Sequence, residues 1–447
     1  MEEKNATKAP INRRQFLKLA GVAGSAALLA ACAKKATEPV SVPTEATEPV
    51  TITYWHGWAV EHEKAAMEAA VDLFNKSHPN IKVEAVSGKT NDQVLTAISG
   101  GTPPDVWSLW STATLAQWAA SGFIMDLTDL VATTGLKEDT LYPAAPQISK
   151  YKGSWYGLPI EIDAAAVYYN KDIFKESGYD PEKPPQTLEE LFAMAKKMTK
   201  LDDAGNIVQL GFSEYALAEH IAYMYGGSWW NSTSGQPTAN LPANIEAWTV
   251  MKDWYATFGA EKVSTFNSQQ ADNPLGSLFI AGKVAIALDG DWVTNFPSRF
   301  NPNMKWGVFA LPAPSSHPET AFSTPVDGSI YVIPNGAPHP EQAWEFVNWM
   351  GTSKEASCIL QKGWANGSPV KEVSTDAQCM PNPEYQLFLD LMNKDKMLVW
   401  PPIAVSAFYA DQRNAAADAV KYAQMTPEEA LNDLQQKVEE ELKKVTQ

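Results

Sequence analysis

From Val50 onward the chain alternates between two hydrophobic periods. Val50-Thr51-Ile52-Thr53-Tyr54-Trp55 has the two-residue repeat of a strand, and Glu63 to Phe74 then places Ala66, Met67, Ala70, Leu73 and Phe74 at helical spacing. Pro79 ends that helix, Ile81 to Val86 alternates again as a strand, and a helical stretch surrounds Val94 to Ile98. The turn-forming run Gly100-Gly101-Thr102-Pro103-Pro104-Asp105 leads into a third strand, Val106-Trp107-Ser108-Leu109-Trp110. This β-α-β-α-β order predicts a mostly parallel sheet with helices on both faces. Ligands of open sheets lie beyond the carboxyl ends of the strands, where His56, Gly57, Trp58 and Trp110 fall.

A second α/β region follows Gly157-Leu158-Pro159. Thr187 and Glu190 are spaced as a capping box ahead of Leu191, Phe192, Ala195 and Met198. Thr426, Pro427 and Glu429 open a last helix in the same way, with Leu431, Leu434, Val438 and Leu442 on one face.

The segment before Val50 has a different character. Arg13-Arg14 precedes an apolar run from Leu19 to Ala31, too short to span a bilayer but built like an export signal of the twin-arginine kind. The run ends at Leu29-Ala30-Ala31-Cys32, which resembles the lipobox of bacterial lipoproteins; the resemblance implies cleavage of residues 1–31 and lipidation of Cys32. Residues 33–50, AKKATEPVSVPTEATEPV, hold almost no large apolar side chains and cannot bury enough surface to fold, so residues 32–49 are expected to form a lipidated tether.

Composition narrows the partners. With 45% hydrophobic residues and 16 Trp, residues 51–447 suffice for two or three packed domains. Loss of residues 1–31 removes five basic and two acidic side chains, leaving 30 against 50 and a net charge near −20. Nucleic acid and anionic membrane surfaces are poor partners for such a chain. Besides Cys32 the sequence holds Cys358 and Cys379, which in an extracytoplasmic setting are expected to form a disulfide or remain as two buried thiols.

Motifs of catalysis are scarce. There is no HExxH, no GxSxG and no P-loop; His56 and His62 are six apart and flank a loop. Leu201-Asp202-Asp203-Ala204-Gly205-Asn206 lacks the acidic alternation and closing Glu of a calcium loop and reads as a hairpin turn. No metal or other cofactor is expected. A glycosidase would need two facing carboxylates, for which Asp163, Asp289, Asp291 and Asp327 are the candidates.

Several motifs in order carry a family resemblance: Tyr54-Trp55-His56-Gly57-Trp58, Thr102-Pro103-Pro104-Asp105-Val106, Gly157-Leu158-Pro159 and Val167-Tyr168-Tyr169-Asn170-Lys171-Asp172-Ile173-Phe174. Phe279-Ile280-Ala281-Gly282-Lys283-Val284-Ala285-Ile286, Gly290-Asp291-Trp292 and Ala343-Trp344-Glu345-Phe346-Val347 continue the series. Residues 50–447 thus resemble the family 1 extracellular solute-binding proteins of ABC importers. The resemblance implies an α/β, two-lobed, periplasmic-binding-protein-like clamp. Each lobe would be a mixed, mostly parallel sheet flanked by helices. Hinge crossovers are expected near Ile160–Ala165 and Thr324–Ser329. The N-terminal lobe would take residues 50–162 plus 327–355, and the C-terminal lobe 163–326 plus 356–447. It further implies a monomeric receptor, not an enzyme. Such a receptor captures a small carbohydrate outside the cell membrane, or in a periplasm, and delivers it to importer membrane subunits, touching the membrane only through its lipid. A polyamine or another small polar solute is the alternative ligand.

Sugars offer apolar C–H faces and many hydroxyls, so their sites combine aromatic platforms with planar polar groups. Trp58, Trp110, Trp229, Trp230, Trp292, Trp364 and Tyr409 are the candidate platforms, with His56 beside the first. Trp254, Trp344 and Trp349 lie on helical stripes and are assigned to the core. By the resemblance, Trp292 stacks on the ligand after Asp291, Asp163 is a cleft carboxylate, and Tyr409 and Arg413 bring an aromatic and a guanidinium to it. The polar cluster expected after the first strand is not matched in His56 to Glu61, which leaves the sugar open. Arg413 stands alone as a strong anion ligand, which disfavours a phosphorylated one.

Overall fold

The computed structural model describes residues 48–214, 217–269, 277–394 and 396–446. The export signal, Cys32 and most of the tether lie outside the described residues.

The chain opens with β1 (Val50–Trp55), α1 (Glu61–Ser77), β2 (Ile81–Val86), α2 (Asn91–Ser99), β3 (Val106–Trp110) and α3 (Thr112–Ala120). The apolar positions of α1 form one buried face of Ala66, Met67, Ala70, Val71 and Phe74. A full capping box starts α2, Thr90 and Gln93 each bonding the other's backbone N–H. β1 pairs in parallel with both β2 and β3, as the alternation predicts.

The chain then reaches β4 (Leu158–Pro159) and crosses at 160–162 into β5 (Asp163–Asn170) of a second sheet. That sheet is completed by β6 (Ile207–Glu214), β7 (Val284–Gly290), β8 (Trp306–Phe309) and β9 (Thr324–Asp327), with α4 (Leu188–Met198) against it and α5 (Leu217–Met224) after β6, packed on the helix Pro242–Phe258. At Gly328 the chain returns to the first sheet as β10 (Ser329–Val332) and continues into α6 (Pro340–Thr352) and α7 (Lys354–Trp364). It finishes with β11 (Met397–Val399), α8 (Ser406–Lys421) and α9 (Pro427–Thr446). Among the described residues the first sheet runs β2-β1-β3-β10-β4. The second runs β11-β9-β5-β7-β6 with β8 also on β5.

Both sheets are mixed, and the second is less parallel than expected: β5 is antiparallel to β7, β8 and β9. The crossovers impose this. β5 brings the chain out of the first lobe and β9 takes it back, so the two must run in opposite directions; β4 and β10 are antiparallel for the same reason. Each lobe has its own aromatic core, Tyr54, Phe74, Tyr331 and Phe346 in one and Tyr168, Phe279, Trp306 and Phe388 in the other.

The chain passes between the sheets at 160–162 and at Gly328, and beyond α6 it stays beside the first sheet. α7 packs on α1, with Trp364 donating from Nε1 to the Glu63 carbonyl at 2.9 Å, so the first lobe keeps the chain through Trp364. A third crossing follows at 365–367, where Ile162 and Gly367 exchange backbone hydrogen bonds of 2.8 and 3.1 Å. Cys358 and Cys379 form a disulfide, Cα atoms 4.9 Å apart, that ties α7 to the segment after it. Asp202 gathers the backbone N–H groups of Ala204 and Asn206, and Lys200–Leu201 pairs with β6, which makes this stretch a hairpin turn. The Thr187 hydroxyl accepts from Glu190 N–H, but the Glu190 carboxylate reaches back to Gln186 rather than Thr187. No helix among the described residues is long and apolar enough to cross a membrane.

Candidate functional site

The carboxyl ends of β1, β3 and β7 and all three crossovers open on one cleft of about 800 Å³ between the sheets. Four tryptophans line it. Trp58 follows β1, Trp110 ends β3, Trp292 follows β7, and Trp400 follows β11. Two glycines make room for two of these rings. A Cβ on Gly57 would stand 2.7 Å from the Trp110 ring, and one on Gly290 would stand 2.0 Å from the Trp292 ring. Trp110 is 45% exposed and presents a broad apolar face to the cleft.

Behind the lining lies a second layer that corrects four site expectations. Trp364 does not line the cleft; it is buried and stacks on Trp58 at 4.2 Å with a 22° interplanar angle. His56 is likewise buried, wedged between Tyr54 and Trp58, and burial pushes its imidazole down to about 4, so it is neutral packing. Trp229 and Tyr409 form the support of Trp400: ring centroids lie 5.8 and 5.1 Å from it, and the Tyr409 hydroxyl donates to the Trp229 carbonyl at 2.9 Å. Trp230 sits in a short β-hairpin with Pro237 as its partner. Trp254 packs on Phe192 and Phe212 in the core, as expected.

The floor of the cleft is a chain of acidic groups at the crossovers. Glu161 and Asp163 flank Ile162 and lie on one face of the extended chain, carboxyl to carboxyl. Burial, with the Asp163 charge beside it, holds Glu161 far above the usual carboxylate range, while burial raises Asp163 to about 6. The Asn366 amide donates to Asp163 and, at 3.3 Å, to Asp291. Asp291 is fully buried and accepts from the Tyr385 hydroxyl at 3.2 Å, so it supports the floor without lining it, a further correction. At the second crossover Asp327 accepts from the Thr112 N–H at 3.0 Å and its hydroxyl at 2.8 Å, a bond between the lobes. Asp289 and Glu63 also face the cleft, and burial lifts each to about 7.

Arg413, on α8, faces the cleft as expected but is not free for a ligand. It is ion-paired with Glu219 of α5 and lies 4.4 Å over the Trp400 ring. Glu63, Glu161, Glu219, Asn366 and Trp400 were not anticipated as site residues. Glu161 had a signal in the sequence, since the two-residue period of an extended chain puts it on the same side as Asp163; the others are brought in by distant elements. Among the described residues no cluster of His, Cys, Asp and Glu has the makings of a metal site.

The chain has relatives in sequence and in fold. Residues 58–357 match the family of bacterial extracellular solute-binding proteins, and residues 10–30 match the twin-arginine translocation signal. An uncharacterised ABC transporter extracellular-binding protein of Pyrococcus horikoshii is 24% identical over 88% of this chain and 89% of its own. A maltotriose-binding protein of Pyrococcus abyssi is 23% identical, over 74% of this chain and 69% of its own. Among solved structures, a protein with mannobiose bound superposes with a TM-score of 0.77 at 27% identity, covering 86% of this chain and 98% of the other.

Proposed function

The chain belongs to the bacterial extracellular solute-binding proteins, and from that premise we propose that it is an exported receptor which captures a carbohydrate and hands it to an ABC importer. The observation that carries this reading is the cleft itself, edged by four tryptophans, of which Trp110 and Trp292 are partly exposed, over a floor of hydrogen-bonding carboxyls and an amide. Flat rings cover the C–H faces of a pyranose, and planar polar groups sort its hydroxyls. The relatives solved or named with mannobiose and maltotriose support the same class.

A phosphorylated ligand is disfavoured, because the cleft's guanidinium is already matched by Glu219. Catalysis is disfavoured as well. Glu161 and Asp163 lie side by side on one face of the same short segment, so they do not flank a glycosidic bond from two sides as a glycosidase pair must. The receptor closes by hinge motion at the three crossovers, and is held outside the cell by a lipid on Cys32 after loss of residues 1–31. A thermal-shift and calorimetry panel of manno- and malto-oligosaccharides tests the function. Stabilisation of about 4 kcal/mol is expected at a thousand times the dissociation constant, and absence of any saccharide response refutes it. Intact mass of membrane-extracted protein should show an acylated Cys32 N-terminus; a chain beginning at Met1 would refute the anchor.

A further inference from the structure

Charge in the cleft is one-sided. Glu63, Glu161, Asp163, Glu219, Asp289 and Asp327 all line it. Against them, among the described lining residues, stands the single guanidinium of Arg413, which Glu219 already neutralises. His220 also reaches the wall, but burial and the nearby Arg413 push it down to about 3, so it adds no positive charge. A neutral sugar closing over this floor would strip water from the carboxylates without replacing it by an opposite charge.

A second observation points the same way. Glu161 is 4% exposed, edges the cleft, and has its Oε2 without a hydrogen-bond partner. A buried acceptor in that state costs free energy until a donor arrives from the cleft side. The walls favour the same kind of donor, since Trp110, 45% exposed, and Trp292 present indole faces that attract cations as well as sugar C–H bonds.

We propose that the cleft selects a saccharide bearing a free amino group, with its ammonium seated at Glu161 and Asp163 and its ring faces on the tryptophans. This rests on the carbohydrate reading above and narrows it. The ammonium's three N–H donors meet Glu161 Oε2, Asp163 and a neighbouring hydrogen-bond acceptor.

The test is calorimetry at neutral pH with glucosamine di- and trisaccharides, their N-acetylated counterparts, mannobiose, and the linear amine spermidine. Acetylation removes the charge and keeps the ring. The amino saccharides should bind roughly tenfold to a hundredfold tighter than the acetylated ones, as expected for loss of a charge-assisted bond. In Glu161→Gln, which keeps the side chain's size, the preference should fall toward one. Should that variant fail to fold, the wild-type ligand panel decides by itself. Equal or tighter binding of neutral saccharides overturns the amine seat and leaves the carbohydrate reading standing. Binding of spermidine with no saccharide overturns both, and silence from every amino saccharide at millimolar concentration overturns the proposal.

Discussion

Truncating Trp292 to alanine tests the stacking wall most directly. The ring follows β7, is half-buried against the protein, and faces the cleft on its remaining side. A tryptophan buries on the order of 200 Å² when fully covered. With most of that already hidden by the protein, roughly 50 Å² remains for a ligand, which loses a similar area of its own. At about 25 cal/mol per Å², some 100 Å² corresponds to about 2.5 kcal/mol, or roughly a 70-fold rise in Kd. Because stacking does not read individual hydroxyls, all bound saccharides should weaken by a similar factor. Calorimetry on Trp292→Ala with circular dichroism as the folding control measures this. Gly290→Ala is an orthogonal perturbation: it leaves the indole in place but would set a Cβ 2.0 Å from it, displacing the ring from the cleft wall. Parent-like affinity in Trp292→Ala with the fold intact would refute the reasoning and return the ring to the core.

Three further outcomes follow from the second layer and the floor. Tyr409→Phe removes the hydroxyl that satisfies the buried Trp229 carbonyl, so it should lower stability by about 1 kcal/mol in chemical denaturation while saccharide affinity changes little; a large affinity loss would place Tyr409 in the site after all. Replacing Cys358 and Cys379 by serine opens a loop with a sequence separation of 21 residues and should cost about 3 kcal/mol, measurable as a lower denaturation midpoint that reductant no longer shifts. The pH dependence has a definite sign. Glu63 and Asp289 titrate at about 7 in the folded protein and lower when unfolded, so the folded state keeps protons that the unfolded chain gives up, and stability is lost as pH rises through 7. His56, His62 and His220, pushed down to about 4, 4 and 3, act in the opposite direction, strongly below about 6.5 and fading by about 7.5 as the unfolded imidazoles lose their protons. Between about pH 7 and 8 the carboxyls therefore set the slope, and the Tm of ligand-free protein should fall; a flat or rising Tm contradicts it.

The sequence by itself determined the repeat of strands and helices and the export signal. These are local or nearly local properties, a period of two or 3.6 and a twin arginine before an apolar run, whereas the lobe crossings came from the family resemblance, which did not include the third at 365–367. The Gly-Asp-Trp turn after β7 was legible for the same reason, whereas the places of Trp292 and Asp163 at the cleft came from the family resemblance. Tertiary packing alone decided which aromatic rings meet the ligand and which support those that do. Trp58 and Trp364 are both tryptophans in suitable segments, yet α7 folds back onto α1 and puts Trp364 behind Trp58. Trp229 and Tyr409 are hidden because they pack around Trp400, so Trp400 and not they reaches the cleft. The charge state of the floor also belongs to the fold, since Asp163, Asp291 and Asn366 become neighbours only when β5, β7 and the third crossover converge, and a carboxyl's proton affinity is set by the water and charges that convergence removes or supplies.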